Sequence, residues 1–494
     1  MLLIYNGMVV TRDSRRPLIE NGAVLVEGNR ILRVGGSAEL EAFLAGEKPG
    51  PGGKTAGEKT AGGKTAGGSA AGEKAADGKA AGEKTAGEKT VPGKAAPPPE
   101  RIDAAGRLVM PGYINAQTHC YSAFARGMPG TGRPATTFGE VLRGLWWRLD
   151  RRLSLEDVYY SAISPMIDSV RSGVTSIIDH HAGPSAISGS LERIADAAAL
   201  LGLRTNLCYE VSDRDGEDAA LEGIRENAAF AARCAPAQDD MLGALFGLHA
   251  QMTLGDKTLD RCIEAAAETG TGFHVHAAEG LEDVFDALAR YGMRAVERLY
   301  RRGVLSPRTL AVHCVHVTDE EIEMLRESGT AVIHNPQSNM SNAVGASPAP
   351  LFLKRGVLTG LGTDGYTADM TESFKTAAVL HKHEAGSPSA AWAEPPKMFF
   401  ENNRTIMNRF IRGETGILRE GALADIIIVD YTPPTPLNAG NIDSHLLFGV
   451  SGRQTDTAII NGRAAMRRRE LPGIDEESLL AHSRERAQKL WMRI

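Results

Sequence analysis

Pro111-Gly-Tyr-Ile-Asn-Ala-Gln-Thr-His119 is a short, mostly apolar run that closes on two polar side chains, Gln117 and His119. A strand repeats every two residues, so these two point to the same side. The chain that follows alternates helix and strand signals. Ser154 to Arg171 has helical periodicity and opens on a Ser-x-x-Asp capping pattern. Gly173 ends it, and Val174-Thr-Ser-Ile-Ile-Asp reads as a buried strand. The same alternation continues through strands ending near Tyr209, His249, His276, His313, His334 and Asp364. With a strand at 108–116 counted first, this makes eight βα units, the pattern of a (β/α)8 barrel.

In such a barrel the C-terminal strand ends share one face, and active sites form there. His119, His249, His276, His313, His334 and Asp364 all fall at predicted strand ends. Clustering of that kind points to chemistry rather than to core filling. His119, His276 and Asp364 offer two imidazoles and a carboxylate to one divalent metal, Zn²⁺ or Fe²⁺. Gln117 either turns its amide oxygen to that metal or holds a water or substrate group. Glu279, three residues past His276, is placed to pass a proton between water and substrate. His313 is placed to orient the water or polarise an oxyanion. Asp364 doubles as ligand and proton acceptor, and the metal lowers the pKa of water. His180 and His181 either touch substrate or supply a ligand in place of Gln117. His274, two residues before His276, reads as barrel filling one layer deeper. Trp146 and Trp147 either wall a pocket for a flat substrate or pack in the core.

Residues 1–36 and 421–470 carry short strand patterns broken by turn signals such as Asn6-Gly7 and Gly28-Asn29. They read as two parts of one small β domain interrupted by the barrel. The expected division is 1–45 with 99–110, then the barrel at 111–411, then 412–470 and a C-terminal helix over 471–494. Between them, residues 46–98 are foreign in composition. Lys54, Lys59, Lys64, Lys74, Lys79, Lys84, Lys89 and Lys94 keep a five-residue register, with Ser69 filling the gap. Large apolar residues are almost absent there, so ordering this stretch has little to offset its entropy cost. It reads as a flexible, solvated insertion.

A net charge of −6 gives no overall footprint for nucleic acid or an anionic membrane. No apolar run is long enough to span a bilayer, and the opening Met1-Leu-Leu-Ile lacks a signal-peptide pattern. Five scattered cysteines without a C-x-x-C pair argue against a disulfide framework, so a cytoplasmic location is expected.

Outside the insertion the chain resembles the amidohydrolase superfamily, in the branch of guanine deaminase, adenosylhomocysteine deaminase and the triazine hydrolases, and within it the SsnA-type aminohydrolases. The resemblance rests on Val109-Met-Pro-Gly, Phe124-Ala-Arg-Gly-Met, Leu145-Trp-Trp-Arg-Leu-Asp, Ser176-Ile-Ile-Asp-His-His, His274-Val-His-Ala-Ala-Glu, His334-Asn-Pro-Gln-Ser-Asn-Met, Leu361-Gly-Thr-Asp-Gly and Pro434-Thr-Pro-Leu. It implies a barrel with a composite β-sandwich, one divalent metal (zinc before iron), and hydrolytic removal of an amino group from a purine-like heterocycle. It makes His119, His276 and Asp364 metal ligands, with Gln117 standing where the family has His. It makes Glu279 and His313 the proton-handling pair, and His249 a substrate contact beside the further candidates His181, Arg126 and Trp147. A homo-oligomer, a dimer by analogy, is implied as well. A second departure is His249-Ala-Gln-Met, where relatives carry Pro and an aromatic after the His. Two rival readings remain at this stage: a barrel that binds its ligand without turnover, and the same site acting on a ring amide or another leaving group.

Deleting residues 50–96 is expected to leave soluble expression and activity nearly unchanged, since surface loops accept length changes cheaply. Loss of soluble protein on deletion contradicts the insertion reading.

Overall fold

The computed structural model describes residues 1–46, 98–130, 132–235 and 240–494. All but the two end residues of the 46–98 insertion lie outside that set. Two parallel sheets form the centre of the molecule. One contains Tyr113–Thr118, Val174–His181, Arg204–Tyr209 and Leu242–Ala244; the other contains Phe246–Ala250, Phe273–Ala277, Leu310–His313, Ala331–His334 and Thr359–Leu361. Leu242–Ala244 and Phe246–Ala250 are one strand interrupted at Leu245. That gives eight barrel strands, named here first to eighth.

Two parallel bridges close the ring: Val211 with Leu248 on one side, Thr118 with Asp364 on the other. At the second seam the Gln117 carbonyl accepts from the amides of Thr363 at 3.0 Å and Asp364 at 3.1 Å. Helices follow the strands as their apolar periodicity requires. Leu155–Arg171 carries the expected capping box, in which Ser154 and Asp157 each take the other's backbone N–H. Among the helices the sequence reading did not single out are Leu281–Tyr291 and Met370–Glu384.

Strands from both chain ends pair in one sheet. Leu2–Val10, Leu18–Glu27, Arg30–Gly36, Glu100–Asp103 and Leu108–Pro111 join Ile426–Val429, Thr455–Ile460 and Arg463–Met466 in an eight-stranded sheet. The expected strand at 108–116 is therefore two. Leu108–Pro111 pairs with Ile426–Val429 in the β domain, while Tyr113–Thr118 opens the barrel. Gly112 is the crossing point: a Cβ there would lie 2.1 Å from the Thr175 side chain, so the chain passes too close for any other residue.

A fully buried ion pair ties the two domains together. Arg204 on the third barrel strand meets Asp425 through Nε at 3.2 Å and Nη2 at 3.0 Å. Asp425 also accepts from Thr415 Oγ1 at 2.6 Å and the Asn461 amide at 2.8 Å. Breaking one partner of such a pair strands a buried charge. Asp425→Ala is expected to lower unfolding stability by about 3–5 kcal/mol in denaturant melts; a loss under about 1 kcal/mol contradicts a structural role for the pair.

Candidate active site

His119 lies just past the first strand and His276 near the end of the fifth, and their Nε2 atoms face each other at 3.1 Å. Each Nδ1 points the other way, His119 to the His180 carbonyl at 2.5 Å and His276 to the His249 carbonyl at 2.7 Å. A carbonyl only accepts, so both rings carry their proton on Nδ1. Two Nε2 lone pairs are left pointing at one spot. Asp364 Oδ1 joins them, 3.0 Å from His119 Nε2. Two imidazole lone pairs and a carboxylate converging in a buried pocket fit a divalent cation, and carbonyls that fix the tautomer are the usual support for such ligands. The carboxylate favours positive charge at this spot, whether a proton or a cation carries it. Burial disfavours charge on His119, yet the adjacent Asp364 carboxylate outweighs it and pushes the imidazole pKa up. Burial likewise opposes ionisation of Asp364, and His119 reverses that, holding it well below the carboxylate range.

The backbone is strained where these groups emerge. His313 has φ 71° and Asp364 φ 55°, both left-handed. Non-glycine residues in that region cost roughly 1–3 kcal/mol each and cluster at functional sites.

Glu279 follows Ala278, itself at φ 49°, just before helix Leu281–Tyr291. Asp283 pins this turn by accepting from the amides of Ala278 at 2.8 Å and Met252 at 3.1 Å. Glu279 Oε2 lies 3.4 Å from His313 Nε2, and Oε1 accepts from Asn342 Nδ2 at 3.3 Å. Burial pushes the Glu279 carboxyl up to about 7, against the pull of His313. His313 Nδ1 is bound to Asn339 Oδ1 at 2.7 Å, so its Nε2 is the face it offers the pocket. A neutral carboxyl beside an imidazole acceptor is a proton-relay pair.

Gln117 reaches the centre with the other end of its amide. Its Oε1, which one of the two readings of Gln117 puts at the metal, accepts from Asn335 Nδ2 at 2.8 Å. Its Nε2 lies 2.9 Å from His119 Nε2 and 3.3 Å from Asp364 Oδ1. A nitrogen of an amide has no lone pair to give a cation.

A cavity opens above these groups, walled by Tyr121, Trp146, Trp147, Phe138 and Leu142. His249 and Trp147, two expected substrate contacts, line it with ring centroids 6.1 Å apart. The others sit elsewhere. Arg126 points to solvent and pairs with Asp168 at 3.2 Å, outside the lining. His181 is buried behind Tyr121, ring centroids 5.9 Å apart, and is also absent from the lining. Strand alternation explains it, because His180 and His181 are adjacent and only one can face inward. His334 is buried against His381 at 5.1 Å and does not reach the cavity. His274 stacks under His180 at 4.4 Å, filling the barrel.

Glu210 lines the cavity and was not among the expected residues. It follows the third strand directly, so the strand-end rule that singled out the histidines would have found it. Burial raises its carboxyl to about 7, although Arg214, 3.5 Å away, pulls it down. Arg214 is shared with Asp150 at 2.9 Å and lies 5.0 Å over the Trp147 ring. Ser338, bonded to Asp364 Oδ2, and Asn339 were missed too; they stand on a helix after the seventh strand.

Comparison with known proteins identifies the family. The amidohydrolase family matches residues 108–465. The chain is 32% identical to 5'-deoxyadenosine deaminase of Methanosarcina mazei, over 80% of this chain and 89% of that one. It is 30% identical to 5-methylthioadenosine/S-adenosylhomocysteine deaminase of Pelotomaculum thermopropionicum, over 80% and 88%. The fold matches a zinc-bound adenosine deaminase of Xanthomonas campestris with TM-score 0.78 at 21% identity, covering 99% of this chain and 98% of the other. The chain belongs to the amidohydrolase family. It is an enzyme of the class that hydrolyses carbon–nitrogen bonds other than peptide bonds with a divalent metal.

Glu279→Gln keeps the shape of this site but removes the titrating proton. It is expected to lower kcat by about 10²–10⁴ while bound metal per chain stays constant. Equal loss of metal and activity contradicts a proton-transfer role.

Proposed function

We propose that this enzyme removes the exocyclic amino group of a purine, in an adenosine-like compound, by hydrolysis. The observation that carries the reading is the convergence of His119, His276 and Asp364 beside the Glu279–His313 pair. Its relatives named above deaminate adenosine derivatives. The aromatic walls suit a flat ring.

A divalent cation held by His119, His276 and Asp364 supplies Lewis acidity that brings the pKa of water toward 7. We assign zinc before iron, because mixed imidazole and carboxylate donors suit it. The residues do the rest. Asp364 accepts a proton from the attacking water and returns it to the leaving amine. Neutral Glu279 protonates the ring nitrogen, so the carbon bearing the amine takes up hydroxide without charge building on the ring. His313, its Nδ1–H fixed on Asn339, steers the water through Nε2. Oxygen replaces nitrogen on the carbon: ammonia leaves with the proton returned by Asp364, and as the carbonyl forms the hydroxyl's remaining proton passes to Glu279, restoring its neutral form. His249 and Trp147 hold the ring.

Among the described residues no helix is long and apolar enough to cross a membrane. We place the protein in the cytoplasm, because its five cysteines are scattered and form no C-x-x-C pair. We extend the proposal to a homo-oligomer by analogy with the superfamily.

The zinc-loaded enzyme is expected to release ammonia from adenosine, 5'-deoxyadenosine or 5-methylthioadenosine. Activity on none of a purine and nucleoside panel, with metal bound, contradicts the reading. With a donor near 7, the competent form of Glu279 is present below that pH and lost above it. The value of kcat/KM should therefore fall as pH rises through about 7, and Glu279→Gln should remove that limb. A profile flat across this range contradicts the donor role.

A further inference from the structure

Gln117 withdraws a ligand from the centre, and a second histidine stands ready beside it. His180 is the last residue but one of the second strand, fully buried, and among the described residues neither of its ring nitrogens has a hydrogen-bond partner. An imidazole with two unmet nitrogens in a dry interior is costly unless something takes the lone pair. The ring faces the two histidine ligands, its centroid 5.5 Å from His119 and 4.8 Å from His276. Ligand atoms of His119, His180 and His276 lie within 4.8 Å of one another. On its far side, His180 Nδ1 is 3.6 Å from Glu210 Oε2. That is longer than a hydrogen bond, but the nearby carboxylate charge favours the proton on Nδ1 and leaves Nε2 for the centre. In this arrangement Gln117 gives its amide oxygen to Asn335 and turns its amide nitrogen, which is no ligand, to the centre.

We infer that His180, backed by Glu210, is a metal ligand of this chain and replaces the one lost at Gln117, so that His119, His180, His276 and Asp364 hold the cation. The inference rests on the metal-dependent reading above. It gives Glu210 a task at the metal as well as in the pocket wall. It also accounts for two histidines in sequence at 180 and 181, with only the first turned inward.

The test is titration of the full-length apo-protein with Zn²⁺ alone, with the bound metal counted by elemental mass spectrometry and its donors by X-ray absorption. Wild type should bind about one zinc with three imidazoles. His180→Asn should show two imidazoles and weaker affinity. Glu210→Gln should lose about 10–100-fold in affinity, and His180→Asn at least as much. The double variant Gln117→His/His180→Asn should regain three imidazoles and tight binding, which separates loss of a ligand from loss of fold. Unchanged zinc affinity and imidazole count in His180→Asn overturn the inference while leaving the proposed reaction standing. A wild type that takes up no zinc until Gln117→His is made overturns it as well, and removes the basis of the reaction.

Discussion

The closing seam of the barrel governs the site. The Gln117 carbonyl takes the amides of Thr363 and Asp364, and Thr118 Oγ1 donates to the Asp364 carbonyl at 3.0 Å. These bonds join the first and last strands of the ring. They also bring His119 and Asp364, far apart in the chain, to 3.0 Å. Asp364 reaches this place only with a left-handed backbone. The fold thus holds a strained residue at the centre through backbone bonds that do not depend on the identity of residue 117. A glutamine can stand there without loss of the seam.

From that seam the site is built by assigning protons. The backbone carbonyls of His180 and His249 hold the Nδ1 protons of His119 and His276, and Asn339 holds that of His313. Every Nε2 so exposed faces the pocket. Burial opposes ionisation of both neighbouring acids, and their partners decide the outcome. It leaves Glu279 near 7, able to give or take a proton, while the His119 contact keeps Asp364 ionised. Two carboxyl groups in one cavity are thereby set to different tasks by surroundings rather than by type.

Much of this was legible in the chain. Repeated helix and strand periods gave the barrel, and the strand-end rule placed His119, His276, Glu279, His313 and Asp364 at one rim. The rule overreached at His334, whose ring turns away from the cavity against His381. It was applied too narrowly at Glu210, one residue past a strand that the reading had found. Arg126 was named from a motif, with no position on the rim to support it, and it faces solvent. The single strand expected at 108–116 failed for a reason of packing: Gly112 passes against Thr175, and nothing local in the sequence reports that contact. Tautomers and the orientation of the Gln117 amide depend on partners such as Asn335, 218 residues away, and no local pattern encodes them.

The central claim is that a divalent cation sits among His119, His276 and Asp364 although the adjacent Gln117 turns an amide nitrogen to them. Anomalous diffraction at the zinc edge, from crystals of the full-length protein grown with Zn²⁺, tests it most directly. The account predicts one strong peak within bonding distance of His119 Nε2, His276 Nε2 and Asp364 Oδ1. No peak there, with the barrel intact, would contradict it.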